Sequence, residues 1–237
     1  MRVVHVQNRA LVIPGQLLAE GDLKAGRGAY KEGGKIFSSV IGLVEVGERE
    51  IGVIALEGCY EPRVDDDVIG MVMDSHMYGW TVDINSPYIG ELYAQEFLGK
   101  IDVFKVELSS HLGTGDIIFA KVKEITPLRR VKLNARGPGY GKLKGGRMVE
   151  ITPVKTPRVI GKRRSMLTMI QEVAGCVLKV GQNGRIMIMS DDEEKISAIT
   201  EALYMIEREA HTTGLTDRVK AFLEKRLKKD GGEKAHS

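Results

Sequence analysis

Cysteine, tryptophan and long apolar runs are scarce in this chain of 237 residues. Its two cysteines, Cys59 and Cys176, stand far apart without CxxC or histidine spacing, so we expect buried, inert thiols and no metal site. No run of about 18 uninterrupted apolar residues occurs, and the N-terminus lacks the apolar core of a signal peptide. These absences predict a soluble, cytoplasmic protein with no membrane partner and no cofactor.

Signatures of catalysis and of nucleotide binding are also missing. The glycine-rich stretch "ARGPGYGKLKGGR", residues 135–147, fits neither the phosphate-loop pattern nor Gly-x-Gly-x-x-Gly, so it is interpreted as a flexible basic connector. No Ser-His-Asp order, carboxylate pair or metal triad is recognisable, and the three acids at 65–67 lie in a predicted turn, where acids are usually solvated. The sequence therefore predicts no catalytic residue.

Charge is unevenly distributed along the chain. Between Lys121 and Met187 there are 16 Lys or Arg residues and three acids, a balance of +13, whereas the remainder carries −10. A basic region that extends over two consecutive modules can neutralise several phosphates and release their counterions. A polyanion is therefore the expected partner.

The first 58 residues predict a small β-sheet domain. Short apolar segments such as "KIFSSVIGLVEV" and "REIGVIAL" alternate with glycine turns and show no helical period. Residues 19–35, rich in glycine and charge, are predicted to form a loop that either docks on a partner or is a plain surface connection.

Residues 62–137 predict a five-stranded barrel of the oligonucleotide-binding type. Five β-branched or aromatic segments follow one another at regular intervals, with one longer connection at 95–115. The stretch also resembles the S1 RNA-binding domain in its Gly-x-Val opening at Gly70, its Tyr78-Gly79 pair, Gly90 before a strand, and a basic last strand.

Residues 147–211 give the order β-α-α-β-β-α, with "GKRR" between the first two helices and a Gly-x-Asn-Gly turn between two strands. A last helix is predicted to begin at a capping box, Ser190-x-x-Glu193. This order is that of a type I KH domain, whose GXXG loop clamps the RNA backbone. Residues 212–237 predict an amphipathic helix that packs on its own domain or on a partner, with the last eight residues disordered.

The order of domains resembles the RNA-binding cap subunit of the archaeal exosome, the family called ribosomal RNA processing protein four. The stretches "LVIPGQLLAEG" and "KVGQNGRIMI" carry this resemblance together with the S1 pattern. It implies a multi-domain, mainly β protein with α+β parts and no catalysis of its own. Such subunits attach through the N-terminal domain, in three copies, to a hexameric ring of RNase PH-type subunits, and feed single-stranded RNA 3′ ends into its channel. Mixed complexes would add a sister cap subunit.

RNA-binding residues are predicted on the barrel and in the loop. By the S1 pattern, Tyr78 and Tyr93 are candidate stacking platforms, although each ring could instead belong to the core. Thr81 occupies the place of a second aromatic in that pattern, and Trp80 next to it is expected to point to the other side of the strand or to belong to the core. Basic side chains that alternate along the last strand face one side of the sheet and are candidate phosphate contacts: Arg130, Lys132 and Arg136.

The loop departs from the GXXG pattern at one residue. Gly161 holds the first position, Lys162 and Arg163 fill the middle, and Arg164 replaces the second glycine. Arg164 either disables the clamp or replaces main-chain contact with side-chain charge, and the sequence leaves both open. Also open is a different biological context, a ribosome-associated or translational S1/KH protein, or a stand-alone nuclease.

Overall fold

The computed structural model describes residues 2–99, 107–210, 212 and 214–233. Its contacts divide the chain into two compact units, Met1–Gly58 and Cys59–Ser237. None of the helices in these described ranges is both long and apolar enough to cross a membrane. The domain limits within the second unit stay predictions.

The described part of the first unit contains eight short strands: β1 (Val3–Val4), β2 (Leu11–Val12), β3 (Leu17–Glu20), β4 (Lys24–Ala25), β5 (Ala29–Glu32), β6 (Lys35–Ser38), β7 (Gly42–Val46) and β8 (Glu50–Ala55). They form two four-stranded sheets, in the orders β1-β3-β6-β5 and β2-β7-β8-β4. Leu18 and Ile36 from one sheet meet Val44 and Ile51 from the other in a single apolar core.

The prediction of a loop at 19–35 is wrong. This segment contains the end of β3 and the strands β4 and β5, and β5 pairs with β6 along its whole length. Its glycines lie at the ends of short strands and do not form an irregular loop. The ring of Tyr30 stacks on that of Phe37 in β6, with 5.6 Å between the ring centres. Cross-strand contacts of this kind stabilise a hairpin that composition alone does not reveal.

A five-stranded barrel begins the second unit. Its elements are β9 (Asp67–His76), β10 (Gly79–Asp83), β11 (Gly90–Tyr93), the helix α1 (Gln95–Leu98), a 3₁₀ turn (Leu108–Ser110), β12 (Ile117–Ile125) and β13 (Val131–Asn134), with β14 (Gly141–Lys142) on the edge of β12. The strand order β13-β11-β10-β9-β12 closes through pairing of β12 with β13. The mainly β class and the closed five-stranded barrel are confirmed.

An α/β module completes the second unit: β15 (Arg147–Glu150), α2 (Thr156–Ile160), α3 (Ser165–Ala174), β16 (Val177–Val180), β17 (Arg185–Met189), α4 (Glu193–Arg208) and α5 (Leu215–Glu233). Its antiparallel sheet has the order β15-β17-β16. Leu215, Val219 and Leu223 of α5 are buried in the core of the module, so the tail helix packs on its own module. Helix α5 continues to Glu233, where the sequence predicted a disordered end, and residues 234–237 lie outside the described residues.

Two local predictions are corrected by the structure. The N-cap of α4 is Asp192, whose carboxylate accepts from the backbone N–H groups of Glu194 and Lys195 at 3.0 and 3.4 Å. Ser190 is too early to cap, because the cap residue directly precedes the first helical turn. Cys59 is exposed, and Cys176 is partly buried, which raises the pKa of its thiol.

The turn between β16 and β17 joins the α/β module to the barrel. Asn183 is fully buried, and its side-chain amide accepts from the N–H of Ile69 at 3.3 Å and donates to the carbonyl of Ile69 at 2.7 Å. The same amide donates to the carbonyl of Ile84 at 2.9 Å. Asn183 thus pairs with β9 as a neighbouring strand would.

Arg185 adds an ion-pair network to this junction. Its buried guanidinium donates to Asp83 of the barrel at 2.5 Å and to Glu150 of β15 at 2.8 Å. A third bond reaches the carbonyl of Asp83 at 2.8 Å. Each of the three guanidinium nitrogens thus donates one bond, two of them to the barrel and one to β15, so Arg185 links the barrel to the α/β module.

Candidate nucleic-acid interface

Two tyrosines stand out on the barrel surface. Tyr78 is 53% exposed and Tyr93 is 36% exposed. They are neighbours because Gly79, which follows Tyr78, pairs directly with Tyr93 across β10 and β11. Both rings line a cavity of about 350 Å³ with Lys132 and with Gln95, Glu96, Lys123 and Glu124. The structure therefore brings together three of the predicted RNA-binding residues.

Trp80 lies on the opposite side of β10. It is fully buried, donates its indole N–H to the carbonyl of Leu112 at 2.9 Å, and packs edge-on against Phe97. Alternation along β10 places Trp80 and Val82 on the core side and Thr81 on the other, whereas Tyr78 precedes the strand, in the turn that follows β9. Tyr78 and Tyr93 are therefore the exposed rings at this cavity.

The predicted basic side chains do alternate with buried residues, but the strand is shorter than predicted. Strand β13 spans Val131–Asn134, so Arg130 and Arg136 flank it and only Lys132 lies within it. Val131, Leu133 and Ala135 point into the core. Arg130 lies in the turn before β13, where its N–H donates to the hydroxyl of Thr126 at 3.1 Å and its carbonyl accepts from the N–H of Thr126 at 2.9 Å.

Carboxylates neutralise most of the positive charge on this barrel face. Arg130 bonds Glu91, and Lys132 bonds Glu124 at 3.1 Å. These hydrogen bonds raise the pKa of both cations. The hydroxyl of Tyr93 also donates to Glu91, at 3.1 Å. The pKa of this phenol is raised mainly by partial burial and secondarily by the bond to Glu91.

Sequence reasoning missed Lys123. Its ammonium pairs with Glu96 at 2.6 Å, and both side chains line the cavity beside the tyrosines. The alternation of β12 indicated an outward-facing residue at this position, but no sequence signal placed it beside Tyr78. Three cations and three carboxylates together leave the barrel face nearly neutral.

Unpaired positive charge is concentrated in the α/β module instead. Seven of the 16 cations between 121 and 187 have a carboxylate partner within 4.0 Å. The other nine have none among the described residues: Arg129, Arg136, Lys144, Lys155, Arg158, Lys162, Arg163, Arg164 and Lys179. The last six of these belong to the α/β module, which therefore has the greater capacity to attract phosphates.

The loop between α2 and α3 adopts an unusual backbone. Gly161 has φ 74° and ψ 170°, and a Cβ there would lie 2.7 Å from the backbone nitrogen of Met166. Arg163 and Arg164 both have positive φ, 52° and 65°. A left-handed backbone costs an L-residue roughly 1–2 kcal/mol. Arg164 therefore keeps the conformation that a glycine would adopt, and adds a side chain.

The main-chain N–H of Arg164 already has an acceptor. It donates to the carbonyl of Gly161 at 3.2 Å, within the 3₁₀ turn Lys162–Arg164. Lys162, Arg163 and Arg164 are exposed. At this position the loop therefore offers side-chain charge to a ligand rather than a free backbone donor.

Comparisons with known proteins agree with this architecture. Residues 9–57 match the family model of the exosome RNA binding protein RRP4 N-terminal domain. The exosome complex component Rrp4 of Pyrococcus furiosus is 47% identical over 96% of this chain and 87% of its own length. The chain belongs to the Rrp4 family. The Rrp4 of Sulfurisphaera tokodaii is 40% identical over 94% of this chain and 92% of its own length.

A solved structure extends the Rrp4-family likeness to three dimensions. It is described as an exosome complex RNA-binding protein, is 38% identical, and covers 72% of this chain and 98% of its own, with a TM-score of 0.67. For this member of the Rrp4 family, the binding roles of the nine candidate residues stay predictions. Tyr78, Tyr93 and Lys132 share one cavity; Gly161 to Arg164 form a separate loop.

Proposed function

We propose that this chain is a non-catalytic RNA-binding subunit of an exosome. It captures single-stranded RNA and guides the 3′ end into the central channel of an RNase PH-type ring. The observation that carries the proposal is the pair of exposed rings, Tyr78 and Tyr93, in one cavity with Lys132. Every base has a π face, so two such rings bind a single strand whatever its sequence.

The barrel and the α/β module contribute differently to capture. The barrel face stacks bases but carries little net charge, because its cations are paired. The loop at Lys162–Arg164 supplies cations without a carboxylate partner among the described residues. These cations attract the phosphates of the RNA backbone and increase the rate at which RNA meets the protein. Membership in the Rrp4 family, whose curated relatives are named exosome complex components, supports the context of this binding.

Reconstitution tests this function. The purified chain should not shorten single-stranded RNA in the presence of magnesium and phosphate, whereas adding it to a phosphorolytic RNase PH-type ring should lower the RNA concentration needed for half-maximal degradation. The ring alone is the control. Degradation by the isolated chain, or no effect of the chain on the ring, contradicts the proposal.

An exposed apolar row on the first unit is proposed as the surface that attaches to the ring. Leu11 of β2 pairs with Leu43 of β7, which pairs with Ile54 of β8, and Leu11 and Ile54 are 60% and 37% exposed. The turn Ile13–Gln16 holds Ile13 beside this row, 60% exposed. Gly15 has φ 82° after Pro14, as a type II turn requires.

Ile13→Asp should therefore weaken attachment to the ring by at least about tenfold, since burying an isoleucine side chain contributes roughly 1.5–3 kcal/mol. Co-elution with the ring in size-exclusion chromatography measures this effect. Val3→Asp is the matched control, because Val3 is 42% exposed on the other sheet of the same unit. Equal losses in both variants would exclude the row as the attachment surface.

A further inference from the structure

The cavity between the two exposed tyrosines of the barrel is lined by charge pairs as well as by rings. Lys132 pairs with Glu124 at 3.1 Å, and Lys123 pairs with Glu96 at 2.6 Å. The side chains of Glu124 and Glu96 are 53% and 25% exposed. A ligand that enters the cavity therefore meets each lysine together with a carboxylate.

The backbone holds these two carboxylates beside their lysines. Glu124 of β12 lies directly opposite Lys132 of β13 in the strand register. The carbonyl of Glu96 accepts from the N–H of Ala135 at 3.0 Å, which attaches α1 to the end of β13. A surface ion pair opens at little cost, but a phosphate that displaced Glu124 from Lys132 would still lie close to that carboxylate. Like charges at such a distance repel, so the cavity is unfavourable for phosphate.

Single-stranded and double-stranded RNA differ in what they present to such a cavity. A single strand can stack its bases on the rings and turn its phosphates to solvent, because every base has a π face and the backbone is flexible. A double helix keeps its bases stacked inside and is contacted mainly through phosphates and 2′-hydroxyls. It gains nothing from the tyrosine rings, and its phosphates meet the carboxylates.

We propose that Glu96 and Glu124 are specificity-determining residues, which exclude double-stranded RNA from the cavity at Tyr78 and Tyr93 and leave the rings open to single strands. The inference rests on the RNA-binding function above and deepens it. The two rings supply the attraction for bases. The two glutamates prevent Lys123 and the lysine on β13 from binding any polyanion regardless of its bases.

The test compares the affinity of the intact chain for a labelled single-stranded RNA with that for the same strand annealed to its complement. Glu124→Gln should raise the affinity for the duplex about tenfold at low salt, because Lys132 gains one charge-assisted hydrogen bond to phosphate. The slope of log affinity against log salt should steepen by about 0.9 for the duplex, the value for one double-helical phosphate. Affinity for the single strand should rise by no more than about twofold. Glu96→Gln should act in the same direction.

Glu61→Gln is the matched control, because it removes an exposed carboxylate outside the cavity and changes the net charge equally. It should change both affinities by no more than about twofold. Duplex that binds to the loop Lys162–Arg164 contributes equally in all variants and cancels in the comparison. Glutamine keeps the shape of glutamate, so the thermal midpoints should remain close to that of the wild type.

The proposal is overturned if Glu124→Gln raises both affinities equally, or raises the duplex affinity no more than Glu61→Gln does. Wild type that binds the duplex as tightly as the single strand also overturns it. Tyr78→Ala should weaken binding of the single strand alone, and equal weakening of both would contradict the division of roles between rings and carboxylates.

Failure of this inference is distinguishable from failure of the proposed function. If wild type binds the single strand and Tyr78→Ala weakens that binding, but neither glutamate variant changes the preference for single strands, the selectivity role fails while the proposed function stands. No binding of single-stranded RNA by wild type sinks the function itself.

Discussion

Replacing Asn183 by alanine is expected to lower the free energy of unfolding of the second unit by about 2–5 kcal/mol. The asparagine amide is the hydrogen-bond partner of two buried carbonyls, those of Ile69 and Ile84, and of the N–H of Ile69. Each buried group left without a partner costs about 1–3 kcal/mol. Alanine cannot replace any of these bonds, and the loss therefore falls on the contact between barrel and α/β module.

Urea unfolding followed by tryptophan fluorescence measures this loss, because the single tryptophan, Trp80, lies in the barrel core. Gln182→Ala is the control on the same turn. The side chain of Gln182 accepts from the N–H of Asp67 at 2.5 Å but is exposed, so water can replace it and we expect a loss below about 1 kcal/mol. Equal losses in the two variants would show that Asn183 does not support the junction.

Tyr78→Ala is expected to weaken binding of single-stranded RNA by about 1–3 kcal/mol, which corresponds to about five- to hundredfold in affinity. The ring is exposed beside Tyr93, so its removal takes away one stacking surface without opening a cavity in the core. Fluorescence anisotropy with a labelled oligonucleotide measures the change. The thermal midpoint should remain close to that of the wild type.

Two controls sharpen this experiment. Tyr78→Phe keeps the ring and should retain nearly all of the affinity. Tyr204→Ala removes another exposed tyrosine, 45% exposed on helix α4, and should have no effect on RNA binding. A folded Tyr78→Ala variant with unchanged affinity would contradict the stacking role of this ring.

The helical period and the strand alternation of apolar residues predicted much of the second unit. The five barrel strands, the limits of α3, and the buried face of α4 all depend on contacts between residues close in sequence, which leave a regular apolar pattern. The burial of Trp80 follows from the same alternation. The exposure of Tyr78 does not, because this residue precedes β10 and lies in the turn after β9.

Ion-pair and hydrogen-bond partners that are distant in sequence could not be predicted from these local patterns. Arg130 and Lys132 were expected to contact phosphate, and in the structure Glu91 and Glu124 pair with them from other strands. The Gly-x-Asn-Gly turn was predicted as a hairpin, but the bonds of Asn183 to the barrel span more than a hundred residues. Registers and pairings of this kind are set by the closure of the barrel and the docking of modules, which no local pattern encodes.

The junction at Asn183 and Arg185 has a consequence for avidity. It links the barrel, which carries the cavity at Tyr78 and Tyr93, to the module that carries the loop Lys162–Arg164. Under the proposed function, an RNA strand bound at one of these places would meet the other as an intramolecular event. A flexible linker of equal length would lower the effective concentration of the second site, because the two modules would sample many relative positions. Two contacts that are weak individually would then combine into tight retention while each can still release, as the proposed guidance of an RNA strand requires.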